Sequence, residues 1–465
     1  MERKPAVHRR ALWRTGTIAL GATLSLTGSY VRARPLDFKQ SVALALKGNP
    51  AMTESSARIA QARAGVREAR GRGLPRLTAS AGVTRTDDPL GVFGSKLMQG
   101  QVTAGDFDPA RLNNPGAYNN FNTRLQLDIP VYSGGLTVAE KARAQALLEA
   151  ARSGDKAARA QLTFEVLKGY EGVRAARAYE QVARQALTAA RSTFTTTRQL
   201  VTEGAAIRSD LLTARVTVED ARVQEQQARD GAANALTRFR ILLGLPPDAS
   251  ADVGPAVLPP MPSARLNELE RRAVADNPGL AALRRRLVGS AEAVAAARAA
   301  YRPHFNVVVS QDWNDPHPGL QSGAYSVGGV VTWQVFDFGT RGGAVDAANA
   351  RRIAAQARLR QAEDSLRVEV AQTYRRALAA QLDVNSKTLA VAEADEAQRL
   401  LILRHKNGVT TTTDLLAGQA RLDRTRAELV NARYELAVAR ASLLLALGHL
   451  DVPTVQGEQA ASGGR

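Results

Sequence analysis

The chain has 465 residues, a mass of 49.6 kDa, a formal net charge of +18 and no cysteine. Its length is enough for two or three ordinary domains, and the missing cysteine excludes disulfides, thiolate metal sites, a cysteine nucleophile and a cysteine-linked lipid. The positive charge would suit nucleic acid. However, the arginines are spread along helical stretches with no compact basic motif and no interleaved aromatics, so no nucleic-acid partner is expected.

The chain opens on Arg3, Lys4, Arg9, Arg10 and Arg14, then a short apolar core at 15–26 and the small-residue pair Val31 and Ala33. This is the pattern of a secretory signal peptide, assigned to 1–33, whose core is too short to span a bilayer. Residues 34–243 read as a first repeat. It holds a helix over 37–72, a strand near 76–85, a Gly/Asn/Asp/Pro-rich loop over 87–116, a strand at 121–131, a long helix at 136–199 and a helix at 210–243. A proline-dense linker, 244–263, argues against helix or central strand. Residues 264–449 read as a second repeat, with a helix over 264–300, strands near 304–313 and 324–336, a long helix at 340–404 and a helix at 414–447. The tail, 450–465, reads as disordered.

The duplication rests on matched residues. Asn49-Pro50 and Pro75 return as Asn277-Pro278 and Pro303, an offset of 228. From Gly135 the offset is 204: Gly135 matches Gly339, Glu165 matches Glu369, Tyr170 matches Tyr374 and Leu243-Gly244 matches Leu447-Gly448. The phrase Gly-x5-Asp-Leu-Leu occurs at 204–212 and again at 408–416. A period this long is duplication of a whole unit, not a solenoid.

Alanine, leucine, arginine, glutamate and glutamine dominate the long segments, and all are strong helix formers. A helix of 65 residues would measure about 100 Å, which implies coiled-coil or tube packing. The alternative is that each segment breaks into several bundle helices. In the strands, Phe121, Thr123, Leu125, Leu127, Ile129 and Val131 alternate with Asn122, Arg124, Gln126 and Asp128. Phe305, Val307, Val309 and Trp313 alternate likewise with Asn306, Ser310 and Asp312, as do the apolar odd residues of 325–335 with Ser326, Thr332 and Gln334. Such a period of two fits either a soluble half-buried sheet or strands crossing a bilayer. Four strands cannot close a barrel, so the second case requires several copies: two would give eight strands and three would give twelve.

Asn-Pro in both first helices, Leu-Pro-Arg-Leu (74–77), "PVYSGG" (130–135), "QVFDFG" (334–339) and the two Gly-x5-Asp-Leu-Leu phrases resemble, in order and spacing, the TolC-like outer membrane efflux proteins over about 36–449. The resemblance implies an all-alpha periplasmic helical barrel with four transmembrane β-strands per chain, the trimer forming a twelve-stranded outer-membrane β-barrel. It implies a homotrimer in outer-membrane lipid that meets a periplasmic adaptor protein and, through it, an inner-membrane transporter. The implied function is a passive exit duct for small toxic compounds, drugs or metal ions. Type I protein or polysaccharide export is the alternative, and a soluble periplasmic coiled-coil scaffold the lesser one.

The same resemblance places adaptor contacts at the hairpin tips: Gly204, Asp210 and Leu211, and Gly408, Asp414 and Leu415. There each glycine is expected to relieve the turn, each aspartate to cap the next helix, and Leu211, Leu212, Leu415 and Leu416 to pack the helix pair. It puts a candidate periplasmic gate at Asp414, which matches a family acid, and at His405, which stands at a family tyrosine position; Ala417 replaces a second acid. Arg124, Asp128 and Asp312 are candidates for the barrel lumen, where charge faces water. The five histidines, His8, His304, His317, His405 and His449, lack ligand spacing, and "FGTRGG" (338–343) lacks a P-loop lysine. No enzyme, cofactor or metal site is expected.

Overall fold

The structure is a computed structural model that describes residues 35–407 and 409–455. The expected signal segment 1–33, Gly408 and the final residues 456–465 lie outside the described residues. A first short strand β1 (Pro35–Leu36) precedes α1 (Phe38–Gly48), α2 (Pro50–Gly71), β2 (Arg76–Thr86), α3 (Pro89–Met98), a 3-10 turn (Ala104–Phe107), α4 (Pro109–Asn113), β3 (Tyr118–Tyr132), α5 (Leu136–Thr202) and α6 (Arg208–Leu242). The linker carries β4 (Asp252–Val253). Then follow α7 (Leu266–Asp276), α8 (Pro278–Ala299), β5 (His304–Asp315), β6 (Gly323–Thr332), α9 (Thr340–Lys406), α10 (Thr412–Leu447) and α11 (Val452–Val455).

Several sequence expectations need correction. The helices expected over 37–72 and 264–300 are each two helices, broken at Asn49 and Asn277. A residue before proline is driven out of the helical region, and Asn49 is extended at φ −78°, ψ 130°. The break is also a joint. Asn49 Oδ1 accepts from Ala51 N at 2.9 Å to cap α2, while its Nδ2 donates to Leu242 O at 2.9 Å. Asn277 repeats this with Gly279 N and Ala446 O. The loop expected over 87–116 contains α3, the 3-10 turn and α4. Its Asp-Pro pairs, which read as turns, are helix starts: Asp88 and Asp108 cap with their side chains and the prolines occupy the first turn. The linker contributes β4, parallel to β1. The tail is helical at 452–455, where Val455 is buried.

Helices α5 and α9 each run unbroken for 67 residues, about 100 Å. Both start from a left-handed glycine, Gly135 at φ 94° and Gly339 at φ 95°. Beside the sheet the helices lie in the order α2, α5, α8, α9; toward the hairpin ends the order is α6, α5, α10, α9. Helix α9 is therefore one flank throughout, and α2 and α6 share the other.

The core sits midway along the long helices, where the chain layer is thickest. Leu162, Val166, Leu167, Tyr170, Phe239 and Leu243 pack with Phe38 and Val42. The second repeat packs Leu366, Val370, Leu443 and Leu447 with Leu269 and Leu280. A clasp binds the linker to α5. The Tyr170 hydroxyl lies 3.2 Å from Leu36 O and 3.0 Å from Pro255 O, Arg174 donates to Gly254 O at 2.7 Å, and Val257 N donates to Glu171 at 2.7 Å. Arg177 pairs with Asp252 at 2.5 Å.

Candidate functional site

Strands β2, β3, β5 and β6 form one antiparallel sheet in that order. The registers align the residues into rows. Leu77, Leu127, Val309 and Val327 stand side by side on one face; Thr78, Gln126, Ser310 and Ser326 form the next row on the other. Residues directly opposite in a ladder share a face, so the alternation read from single strands becomes one apolar and one polar surface. The apolar face is open: Leu77 is 63% and Val327 66% exposed.

The three lumen candidates share the polar face. Arg124 stands opposite Asp312 and pairs with it at 2.5 Å, and Asp128 accepts from Gln126 Nε2 at 2.9 Å. At the sheet end distant from the long helices, sequence reading missed an amide cluster. Asn120 and Asn122 donate to Asn314 Oδ1 at 2.9 and 3.1 Å, and Gln99 after α3 donates to Asn120 Oδ1 at 3.0 Å. Its only sequence signal was the cluster of asparagines at 119, 120 and 122.

The hairpin ends close by backbone chemistry. Gly204 sits at φ 78°; its N–H donates to Val201 O at 3.1 Å and that of Ala205 to Leu200 O at 2.8 Å. This is a Schellman closure. At the second end, Val409 N donates to Arg404 O at 2.9 Å, the same six-to-one bond. Neither aspartate is the cap. Thr411 caps α10, with its Oγ1 accepting from Asp414 N at 3.1 Å and donating to Asp414 Oδ2 at 2.7 Å. That hydroxyl, with the Thr411 backbone group, holds the Asp414 carboxyl below its usual range. The residue before α6 is Ile207, without a side-chain cap, and Asp210 lies in the first turn, where a carboxylate suits the helix dipole. The leucines also divide: Leu415 is buried, whereas Leu212 is 55% exposed and does not join its helix pair.

His405 is buried within the second turn, its Nδ1 3.1 Å from Thr410 O, so Nδ1 carries the proton. Asp414, by contrast, is exposed. Among the described residues no helix is long and apolar enough to cross a membrane, and no cluster of three metal-binding side chains occurs.

The family model "Outer membrane efflux protein" matches residues 42–245 and 269–449. The alkaline protease secretion protein AprF of Pseudomonas aeruginosa is 26% identical over 365 residues, 75% of this chain and 73% of its own length. Two solved structures share the fold. The CmeC outer membrane channel of Campylobacter jejuni has a TM-score of 0.76 and 17% identity, covering 91% of this chain and 88% of its own. The open-state MtrE outer membrane channel of Neisseria gonorrhoeae has a TM-score of 0.74 and 20% identity, covering 89% of each chain. The architecture is thus a TolC-like helical tunnel joined to a β domain.

Proposed function

The chain belongs to the outer membrane efflux protein family, and on that premise we propose that three copies close into a passive export duct. It is an outer membrane channel protein, not an enzyme. The observation that carries the reading is the four-stranded sheet with two unpaired edges, β2 and β6, on a protomer whose helices also have two open flanks. Unpaired backbone cannot face lipid. With four antiparallel strands, β6 of one copy meets β2 of the next in antiparallel sense. Two copies would make an eight-stranded barrel plugged by its own side chains; three make twelve strands around an aqueous bore.

The apolar rows then face lipid, and Arg124, Asp128 and Asp312 line the bore. The hairpin ends, with Gly204, Asp210 and Leu211 in one and Gly408, Asp414 and Leu415 in the other, meet a periplasmic adaptor that couples the duct to an inner-membrane transporter. Asp414 is the gate group at the axis, three copies repelling one another in a closed ring, while His405 shapes the turn beneath it. Energy comes from the transporter.

The cargo is a small toxic compound, drug or metal ion. The similarity to AprF favours a second reading, protein secretion. A deletion strain separates them. Increased retention of an efflux dye, reversed by the intact gene, supports the first. Loss of a secreted protein with normal dye export supports the second. Normal dye export with an unchanged secretome contradicts both.

A further inference from the structure

We propose that the junction between neighbouring copies repeats, in register, the junction between the two halves of one copy, and that Phe338 fills there a seat that Gly134 leaves empty within the copy. The proposal rests on the trimeric reading above.

One chain contains two kinds of strand pair. Pairs β2–β3 and β5–β6 lie within a repeat and end at equivalent residues: Arg76 faces Asp128, and His304 faces Thr332. Pair β3–β5 joins the two repeats. Beyond Asp128, β3 continues to Tyr132 because β5 accepts it, with Ile129 facing Val307 and Tyr132 facing Phe305 across a bulge. The equivalent stretch after β6, residues 333–336, has no such neighbour, and β6 stops at Thr332. The sequence nevertheless keeps the alternation of a strand through Val335. A strand pattern without a strand marks a missing partner.

The repeat offsets supply the register. Shifting the β3 residues by 204 and the β5 residues by 228 in the opposite sense places Val331 against Ala81 of the partner subunit. It places Trp333 against Ala79 of the partner subunit, and Phe336 against Leu77 of the partner subunit. The first two pairs join odd residues to odd residues, and the bulge carried over from Pro130/Tyr132 sets Phe336 against Leu77 of the partner subunit as it sets Tyr132 against Phe305, so the apolar face continues across the junction.

Phe338 supplies an independent observation. Among the described residues it is the one non-glycine at positive φ, 51°, and it is 93% exposed. A bulky side chain in the left-handed region is strained, and within one copy the ring buries almost none of its surface to offset that strain. The first repeat has Gly134 there, at φ 63°. A Cβ on Gly134 would stand 2.7 Å from Ala299 O and 2.9 Å from Arg302 Cβ, so within the copy the seam has no room for a side chain. The residues matching Ala299, Tyr301 and Arg302 are Gly71, Gly73 and Leu74. A Cβ on Gly71 meets nothing within 4 Å, and Leu74 is exposed. One wall has become larger and the other smaller. Phe336 and Phe338 are already stacked edge to face with centroids 4.6 Å apart, a preformed wedge for that space. The occupant is a second copy rather than lipid, because the Gly134 position aims along the layer at the next strand's start.

The native chain has no cysteine, so introduced thiols are the only ones present. The double variant Val331→Cys/Ala81→Cys, oxidised in outer-membrane vesicles, is expected to give two- and three-chain bands on a non-reducing gel. Val331→Cys/Gly82→Cys, slipped to the opposite face, is expected to stay monomeric. Membrane insertion of each single variant controls for folding. In parallel, Phe338→Gly relieves the backbone strain yet is expected to lower the temperature at which the trimer falls apart in SDS by about 5 °C. A trimer by native mass spectrometry that crosslinks only in the slipped pair, or in neither, overturns the register but leaves the trimer standing. A trimer made more resistant by Phe338→Gly overturns the wedge. Absence of any trimer in the cysteine-free chain overturns the trimeric reading itself.

Discussion

Helices α5 and α9 have the same length, begin at the same left-handed glycine and end in the same six-to-one bond, yet one lies inside the layer and the other at its flank. Their side chains differ accordingly. Where α5 has Arg174, bonded to a linker carbonyl, α9 has the exposed Leu378. Where α5 has Ala178, α9 has Leu382, also exposed. Duplication preserved the features that set length and turning. The substitutions separate a surface that packs within one copy from an apolar surface left open, which the proposed trimer would cover.

The largest contrast lies at mid-height. Tyr170 is fully buried with its hydroxyl within reach of a β1 carbonyl, Leu36 O, and a linker carbonyl, Pro255 O, whereas Tyr374 is half-buried. Tyr170→Ala is expected to cost about 4 kcal/mol and Tyr374→Ala less than half of that, read as midpoints of thermal unfolding in detergent. Equal losses would break the asymmetry. The glycines sharpen it further. Gly244 at φ 75° and Gly204 at φ 78° have the same backbone, but a Cβ on Gly244 would lie 2.5 Å from Gly48 C, and one on Gly204 meets open space. We expect Gly244→Ala to cost about 3 kcal/mol and Gly204→Ala about 1 kcal/mol in the same assay.

Leu382→Asp probes the open flank. It is expected to lower the trimer fraction in dilute detergent about tenfold while leaving protomer helicity by circular dichroism unchanged, because the site is solvated until a neighbour covers it. Loss of helicity instead would place Leu382 in the protomer's own core.

The smallest effect is one of pH. Burial, the largest cause, holds the Glu171 carboxyl above its ordinary range, although Val257 N and Arg174 oppose it. The folded chain therefore binds this proton more readily than the unfolded one. The contribution is fully present below the ordinary glutamate pKa and is lost as pH rises through the folded value. Folding stability should therefore rise as the pH falls toward the ordinary glutamate range, and Glu171→Gln should flatten that dependence. A thermal midpoint that falls with that acidification in the native chain but not in Glu171→Gln would contradict the assignment.

Much of the fold could be read because its signals are local. The proline-free alanine-rich runs, the period of two and the repeated offsets each depend on neighbours in sequence. Asn49-Pro50 and Asp88-Pro89 were ambiguous because one dipeptide can end a helix, make a turn or start a helix, and only the packing against Leu242 or the sheet end decides. The hairpin site was legible as a turn, but the capping role fell to Thr411 because four threonines in a row offer several equivalent caps. The burial of His405 had no sequence signal, since a basic residue in the last turn ordinarily faces solvent. The expected strand end at 336 differs from the observed end of β6 at Thr332: residues 333–336 keep the alternation of a strand but have no strand neighbour within the chain, and on the trimeric proposal a second copy supplies it.

On the trimeric proposal, one chain is an incomplete barrel. Native mass spectrometry of the complex extracted from outer membranes tests it most directly. A species of three mature chains is predicted. A stable monomer or dimer that stays soluble without detergent would contradict it, and would make the alternating strands an ordinary periplasmic sheet.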